Sequence, residues 1–265
     1  MWRALVVVGA GGLLIAGALS APSSAAPPGP VIGSGSRTCT PAPRADCRDV
    51  VHKWRFEHHG DLRGARFVRA QLHGADLRGA NLTDSNMRGV TLRHADLRDA
   101  KLRRADFSPV LAGGKAPRTQ FLCDPHCQSA DLEYVNLSGA DLVAVNFARA
   151  NLSNANLIDA NMNQALLPSA NLTNALMQGA NLSGAILNNA TVNYANLSNA
   201  NLAGVDMLRT SLVGADLSGA NLSGAQLGMT DLSRANHTGE ILTGAYLCGT
   251  TMPDGSINNS DCLQP

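Results

Sequence analysis

The chain has 265 residues, of which 45% are hydrophobic and only 4% aromatic, and its formal net charge is +1. The length suffices for a well-filled core, but so few rings exclude an ordinary globular interior, and a bias to Ala, Leu, Asn and Gly marks disorder or a repeat. Near-neutrality excludes a polyanionic partner chosen by bulk charge alone.

Residues 1–26 read as an export signal. Arg3 supplies the positive start, Leu5 to Leu19 an apolar run, and Ser23-Ser24-Ala25-Ala26 small residues for cleavage. The run is short for a membrane span, so no transmembrane segment is expected in the mature chain, which is expected to be secreted, extracellular or in the cell envelope. Residues 27–38, rich in Pro, Gly and Ser, read as a flexible linker. Residues 39–60 supply Val50, Val51, Trp54 and Phe56, suited to a short N-terminal capping helix. Export makes disulfides the expected state of the six cysteines, in the local pairs Cys39/Cys47, Cys123/Cys127 and Cys248/Cys262. His126, inside Cys123-Asp-Pro-His-Cys127, leaves zinc as the alternative for the middle pair.

From Asp61 onward the sequence repeats every five residues, as in Ala75-Asp-Leu-Arg-Gly, Ala80-Asn-Leu-Thr-Asp and Ala220-Asn-Leu-Ser-Gly. Central positions run from Leu62 to Phe107 and from Leu132 to Met252. Of these 35 positions, 34 are Leu, Met, Phe or Val, and the residue two before is Ala in 25. A period of five fits neither a helix nor a strand. It fits a chain that turns a corner every five residues, so that four units close a square coil of 20. The central and small residues then face inward, and coils stack about 4.8 Å apart. Two blocks, 61–109 and 130–252, are separated by residues 110–129. That interruption is one coil long, and it reads as a degenerate coil or an excluded loop, with the retained phase favouring the coil. Residues 253–265 form the C-terminal cap.

Tandem Ala-(Asp/Asn)-Leu-X-X resembles the pentapeptide-repeat family, and the likeness covers most of Asp61 to Met252. The resemblance implies an all-β fold, a right-handed quadrilateral β-helix. The tail from Leu247-Cys-Gly-Thr-Thr-Met-Pro-Asp-Gly to Cys262 resembles the ending of secreted actinobacterial members. Cytoplasmic relatives include DNA-mimicking, gyrase-binding proteins of the fluoroquinolone-resistance type.

The 20-residue phase also sorts the candidate contacts. In block one Arg63, Arg78, Arg88, Arg93, Arg98 and Arg103 each come directly after a centre and form a basic collar, a candidate polyanion contact. No aromatic residues interleave with them, so nucleic acid is not the expected partner. In block two Asn161, Asn181, Asn201 and Asn221 form a ladder. Leu166 and Ile186 replace Asp or Asn on one side, and with Leu208, Met229 and Tyr246 they make a candidate interface strip, suited to a homodimer or a partner protein. His237 takes a central position and Glu240 the next small-residue position, so the two are expected to pair inside the last full coil. His52, His58 and His59 read as polar surface beside the cap. No nucleophile elbow, phosphate-cradling loop or metalloprotease motif is present. No catalytic residue and no cofactor is therefore expected. The chain is expected to act by surface contact with a protein or a cell-envelope polymer, and gyrase binding is the alternative if the export signal fails.

Overall fold

A corner every five residues leaves five backbone N–H groups per unit to be satisfied, and the structure, a computed structural model describing residues 31–34, 37–51, 60–107 and 130–262, shows how. In the unit Ala80 to Asp84, Leu82 N–H donates to the Lys101 carbonyl of the next coil at 2.7 Å. Asp84 N–H donates to Arg103 at 3.0 Å, and Asn81 N–H donates to Gly60 of the preceding coil at 3.0 Å. Ala80 N–H closes the preceding turn onto the Leu77 carbonyl at 3.0 Å. The remaining N–H, that of Thr83, donates to Asn81 Oδ1 at 3.3 Å. Every donor is used, and the Asp or Asn before each centre is explained: its side chain accepts the one N–H that no neighbouring carbonyl reaches.

Four such units complete a coil, and parallel bridges join each coil to the next at a spacing of 20 residues. The first side carries Asp61↔Asn81, the second Arg66↔Asn86, the third Gln71↔Thr91 and the fourth Asp76↔Asp96. Inside, the central residues and the small residues two before them are buried along almost the whole stack. Phe67, Met87, Phe107 and Phe147 share the second side, and the Phe107 and Phe147 rings lie 4.9 Å apart. Toward the C-terminal end of the third side the small position becomes Thr. Thr210, Thr230 and Thr250 are buried, and their hydroxyls donate to the carbonyls of Leu187, Met207 and Leu227 at 2.6–2.7 Å. A buried hydroxyl is tolerated there because it is bonded.

The residue two after each centre described up to Leu247 is left-handed whether or not it is glycine, Pro109 lying outside the described residues: φ is 57° at Tyr194 and 66° at Gly214. At some corners the side chain leans over the following coil into space that a glycine there leaves open. A Cβ on Gly214 would lie 2.8 Å from the Tyr194 ring, and one on Gly139 2.6 Å from Asp99 Oδ1.

Several boundaries differ from the periodic reading. The coil starts before Asp61: Asp46 bridges Arg66, Val51 bridges Gln71, and Cys47 and Val50 are buried where a centre and a small residue belong. Cys47 can fill a centre because its apolar side chain is compact, but it hides the repeat from a Leu-based pattern. No helix occurs among the described residues; Trp54 and Phe56 lie outside them, as do His52, His58 and His59. Part of the expected linker is paired, β1 (Ile32–Ser34) lying antiparallel to β2 (Arg37–Cys39). At the other end β3 (Thr250–Thr251) pairs antiparallel with β4 (Ile257–Asn258).

The degenerate coil is overturned. Thr91, Asp96, Lys101 and Asp106 bridge directly to Asp131, Asn136, Asp141 and Asn146, so the coil ending at Phe107 stacks on the coil beginning at Ala130. No level of the stack is left for a coil between them. The retained phase records only that each block keeps its own register against the other.

Candidate functional site

The second side brings the interface candidates onto one surface, in two clusters. Leu166 and Ile186 are bridge partners on successive coils, and both are exposed. Their presence removes the oxygen that normally accepts the N–H two residues on. At Leu166 nothing is lost, because the residue two on is Pro168, which has no N–H. At Ile186 the residue two on is Asn188, whose backbone N–H is the donor that loses this acceptor; the Asn188 side-chain oxygen is in addition buried without a partner. Leu176, exposed on the fourth side, repeats this pattern with Gln178 Oε1. Further along the second side, a side chain at Gly228 would lie 3.2 Å from Leu208 and 3.3 Å from Tyr246, so these two close over a glycine gap. Met229, 56% exposed, stands in the adjoining turn. Asp206 and Gln226 interrupt the column between Ile186 and Tyr246.

The basic collar of block one exists, but it is locally neutralised. Arg63 pairs with Asp61 at 2.7 Å, Arg78 with Asp76 at 2.7 Å and Arg98 with Asp96 at 2.6 Å. Arg93 reaches Glu133 at 2.7 Å, Arg103 Asp141 at 3.3 Å and Arg88 Asp106 at 3.8 Å. The hydrogen bonds from Arg63, Arg104 and Arg98 hold the carboxyls of Asp61, Asp84 and Asp96 below the ordinary carboxylate range. A guanidinium already bound to a carboxylate offers little field to a polyanion.

His237 and Glu240 meet, with Nδ1 3.2 Å from Oε1, but not inside the coil. The His237 side chain is 55% exposed and that of Glu240 10%, so the inward placement of His237 is corrected. The imidazole is too polar for a Leu position and turns out to solvent, drawing the carboxylate partly in behind it. Burial raises the Glu240 carboxyl, and the charge and hydrogen bond of His237 oppose the rise.

Disulfides join Cys39 to Cys47 and Cys248 to Cys262, with Cα atoms 5.2 Å and 4.7 Å apart. Cys123 and Cys127 lie outside the described residues. The Asn ladder of the first side forms as expected: the amides of Asn181, Asn201 and Asn221 each donate to the preceding Asn oxygen at 3.1–3.4 Å.

A row of rings escaped the periodic reading. His73, His94 and Tyr134 lie on successive coils at the third side. The His73 and His94 rings are 5.4 Å apart edge-on, and His94 and Tyr134 are 5.2 Å apart and stacked. The signal was present as aromatic residues one (His73) or two (His94, Tyr134) after a centre, where turn formers normally stand.

Stacked coils, a Leu and Ala interior, Asn-capped corners and contact side chains carried on flat sides define a four-sided repeat solenoid. The pentapeptide repeats model matches residues 58–84, 70–108, 126–164, 165–204 and 195–233, and the chain belongs to that family. Its members fold as right-handed quadrilateral β-helices and are generally structural or interaction proteins without enzymatic activity. Among solved structures, the chain is similar to HetL, a pentapeptide repeat protein involved in heterocyst differentiation regulation from the cyanobacterium Nostoc sp. strain PCC 7120. Identity is 31% over 80% of this chain and 91% of that one, with a TM-score of 0.37. It is similar to trypsin-treated QnrB1, a plasmid-mediated fluoroquinolone resistance protein, at 15% identity over 74% and 83%, TM-score 0.43. A pentapeptide repeat protein of the Arabidopsis thaliana thylakoid lumen matches at 24% identity over 48% and 68%, TM-score 0.25. Comparison with curated proteins finds no significant match.

Proposed function

We propose that this chain is an exported, non-catalytic solenoid that binds a protein, a second copy of itself included, through the second side of its C-terminal block. The observation that carries the reading is the replacement of the corner-capping Asp or Asn by exposed Leu166 and Ile186 on successive coils. At Ile186 the fold gives up the side-chain oxygen that elsewhere accepts the N–H two residues on, and beside it Asn188 Oδ1 is buried without a partner. Apolar exposure at a local cost to folding is the mark of a surface kept for contact. Export is supported by the signal-like residues 1–26 and by disulfides near both described ends. A DNA-mimicking rod would need a dense acidic surface, whereas the block-one carboxylates are taken up by arginines and block two spreads only nine acidic residues over 130–254.

Affinity capture from cell-envelope extract, run beside sedimentation of the purified protein, tests the reading. Leu166→Asn with Ile186→Asn returns both positions to the residue usual there, and restores the corner cap at 186, so the protein should stay folded while capture or self-association falls at least tenfold. Unchanged association by the variant would make the strip ordinary surface. N-terminal sequencing of secreted material should begin near Ala26 or Pro27; material that begins at Met1 would remove the export part of the reading.

A further inference from the structure

The third side carries a second surface, of different chemistry, in the column of turn residues two after each centre. Reading toward the C-terminus, it runs His94, Tyr134, Asn154, Asn174, Tyr194, Gly214. All six are left-handed, with φ from 56° to 66°. A bulky L-residue in that conformation is strained, and elsewhere the same turn position is filled mostly by Gly, Asp, Asn and other non-aromatic residues. Among the described residues, the aromatic side chains held left-handed are His94, Tyr134 and Tyr194, and all three stand in this one column. Flexible Arg side chains take the same conformation on other sides, at Arg69, Arg104, Arg149 and Arg209, but the aromatic ones are gathered in this one column, and that gathering points to use of the rings. The rings are available: Tyr134 is 47% and Tyr194 61% exposed. Glycine at 214 clears the space into which the Tyr194 ring leans.

Between the two tyrosines the column is polar. Asn174 Nδ2 donates to Asn154 Oδ1 at 3.3 Å. That bond leaves Asn154 with amide protons and Asn174 with an amide oxygen to offer outward. The hydroxyl of Thr173 stands beside them, donating to Asn171 and keeping acceptor capacity. Tyr134 and Tyr194 are three coil rises apart, about 14 Å at the usual interstrand spacing. Two exposed rings at a fixed interval, with neutral donors and acceptors between, match a stiff chain whose units have an apolar face and an equatorial rim of hydroxyls.

We infer that this column is a binding track for an extended β-linked polysaccharide running along the solenoid axis, with sugar rings packed on Tyr134 and Tyr194 and hydroxyls bonded by Asn154 and Asn174. The track lies on a different side from the protein-binding strip and does not depend on it. Single-stranded nucleic acid also stacks on rings, but it needs a basic groove, and residues 130–254 hold nine acidic side chains against three Arg and no Lys. A proline-rich peptide needs a groove between rings, whereas one column of turn residues forms a ridge.

The test uses the purified exported chain with three insoluble probes, microcrystalline cellulose, chitin and purified murein sacculi, and then titration with the hexasaccharide of whichever is bound. The variants are Tyr134→Asn and Tyr194→Asn. Asn takes the left-handed turn at lower cost than Tyr, so melting temperature should hold or rise. Each variant should weaken binding by up to about tenfold, the upper range of an aromatic contact, and the double variant should no longer sediment with the polymer. Ile186→Asn should bind the polymer like the wild type, which separates failure of the track from failure of the strip. Absence of binding to all three probes, or a double variant that binds unchanged, overturns the track.

Discussion

At the level of single residues, the left-handed corner sets the rules, and it makes neighbouring coils depend on each other in pairs. Gly224 is left-handed with no atom within 4 Å of a would-be Cβ, so Gly224→Ala should cost only the backbone term, about 1–2 kcal/mol. Gly214→Ala adds a clash with the Tyr194 ring and should cost more, and Tyr194→Ala should recover the difference. Urea denaturation of the two single variants and the double variant measures this. Glu240 makes a different prediction. Burial raises its folded carboxyl above the unfolded value, so its contribution is present at acid pH and lost as pH rises through the folded value. Glu240→Gln removes that loss. It should therefore stabilise the last coil at pH 7 and change nothing at pH 3, as read by hydrogen exchange at Thr238 to Ala245. A destabilised variant at pH 7 would mean that the His237 pair outweighs the burial of the carboxylate. His237 was legible as the single break beside 34 hydrophobic centres. Its outward turn was not, because the repeat gives a register but not the cost at which a polar side chain leaves it.

Among coils and caps, the two blocks differ in how their outer faces are held. Block one is laced by Arg–carboxylate pairs and block two by amide ladders and Asn-capped turns. The lowered carboxyls of Asp61, Asp84 and Asp96 contribute stability that is full above the unfolded value near 3.9 and is lost as pH falls below it. Amides do not titrate. Acid should accordingly loosen block one before block two, with hydrogen exchange at pH 3 rising first between residues 60 and 107. The pairs are exposed, so the effect should be small and should shrink in salt. At the C-terminal cap, Leu247 N–H donates to Asp261 and Gly249 N–H to Asn259, and the Cys248–Cys262 bond holds that return. Cys248→Ser with Cys262→Ser should remove about 3 kcal/mol by the loop-entropy estimate. The loss should appear as fraying of residues 241–251 while block one keeps its protection. The coil and its core were legible in the sequence because one apolar and one small position recur without drift. The ends were not. Cys47 and Val50 complete a coil with residues outside the Leu and Ala pattern, and β1 and β3 pair through short segments that carry no strand period.

Across the whole molecule, the direct stacking of the coil ending at Phe107 on the coil beginning at Ala130 predicts that the rod folds without residues 110–129, which lie outside the described residues. Their deletion joins Pro109 to Ala130 in the five-residue phase, so circular dichroism and melting temperature should stay within a few degrees of the parent. Collapse of the fold would show that the two blocks need the segment to dock. Both proposed contact surfaces were half-legible. Leu166 and Ile186 stood out as departures from Asp or Asn, whereas Tyr134 and Tyr194 fell on turn positions where periodicity sets no expectation and only the φ of the folded chain exposes their cost. A stack in which each coil touches only its neighbours comes apart by peeling from a terminus, since an interior coil cannot leave while both neighbours hold it. Here a covalent staple closes the chain on itself near each described end, eight residues apart at Cys39–Cys47 and fourteen at Cys248–Cys262. Exopeptidases and pulling motors, which both begin at a terminus, then meet a crosslink before they meet the body of the stack. Reduction of those two bonds should therefore speed peeling from either end of the described stack, as limited proteolysis with and without reductant would show.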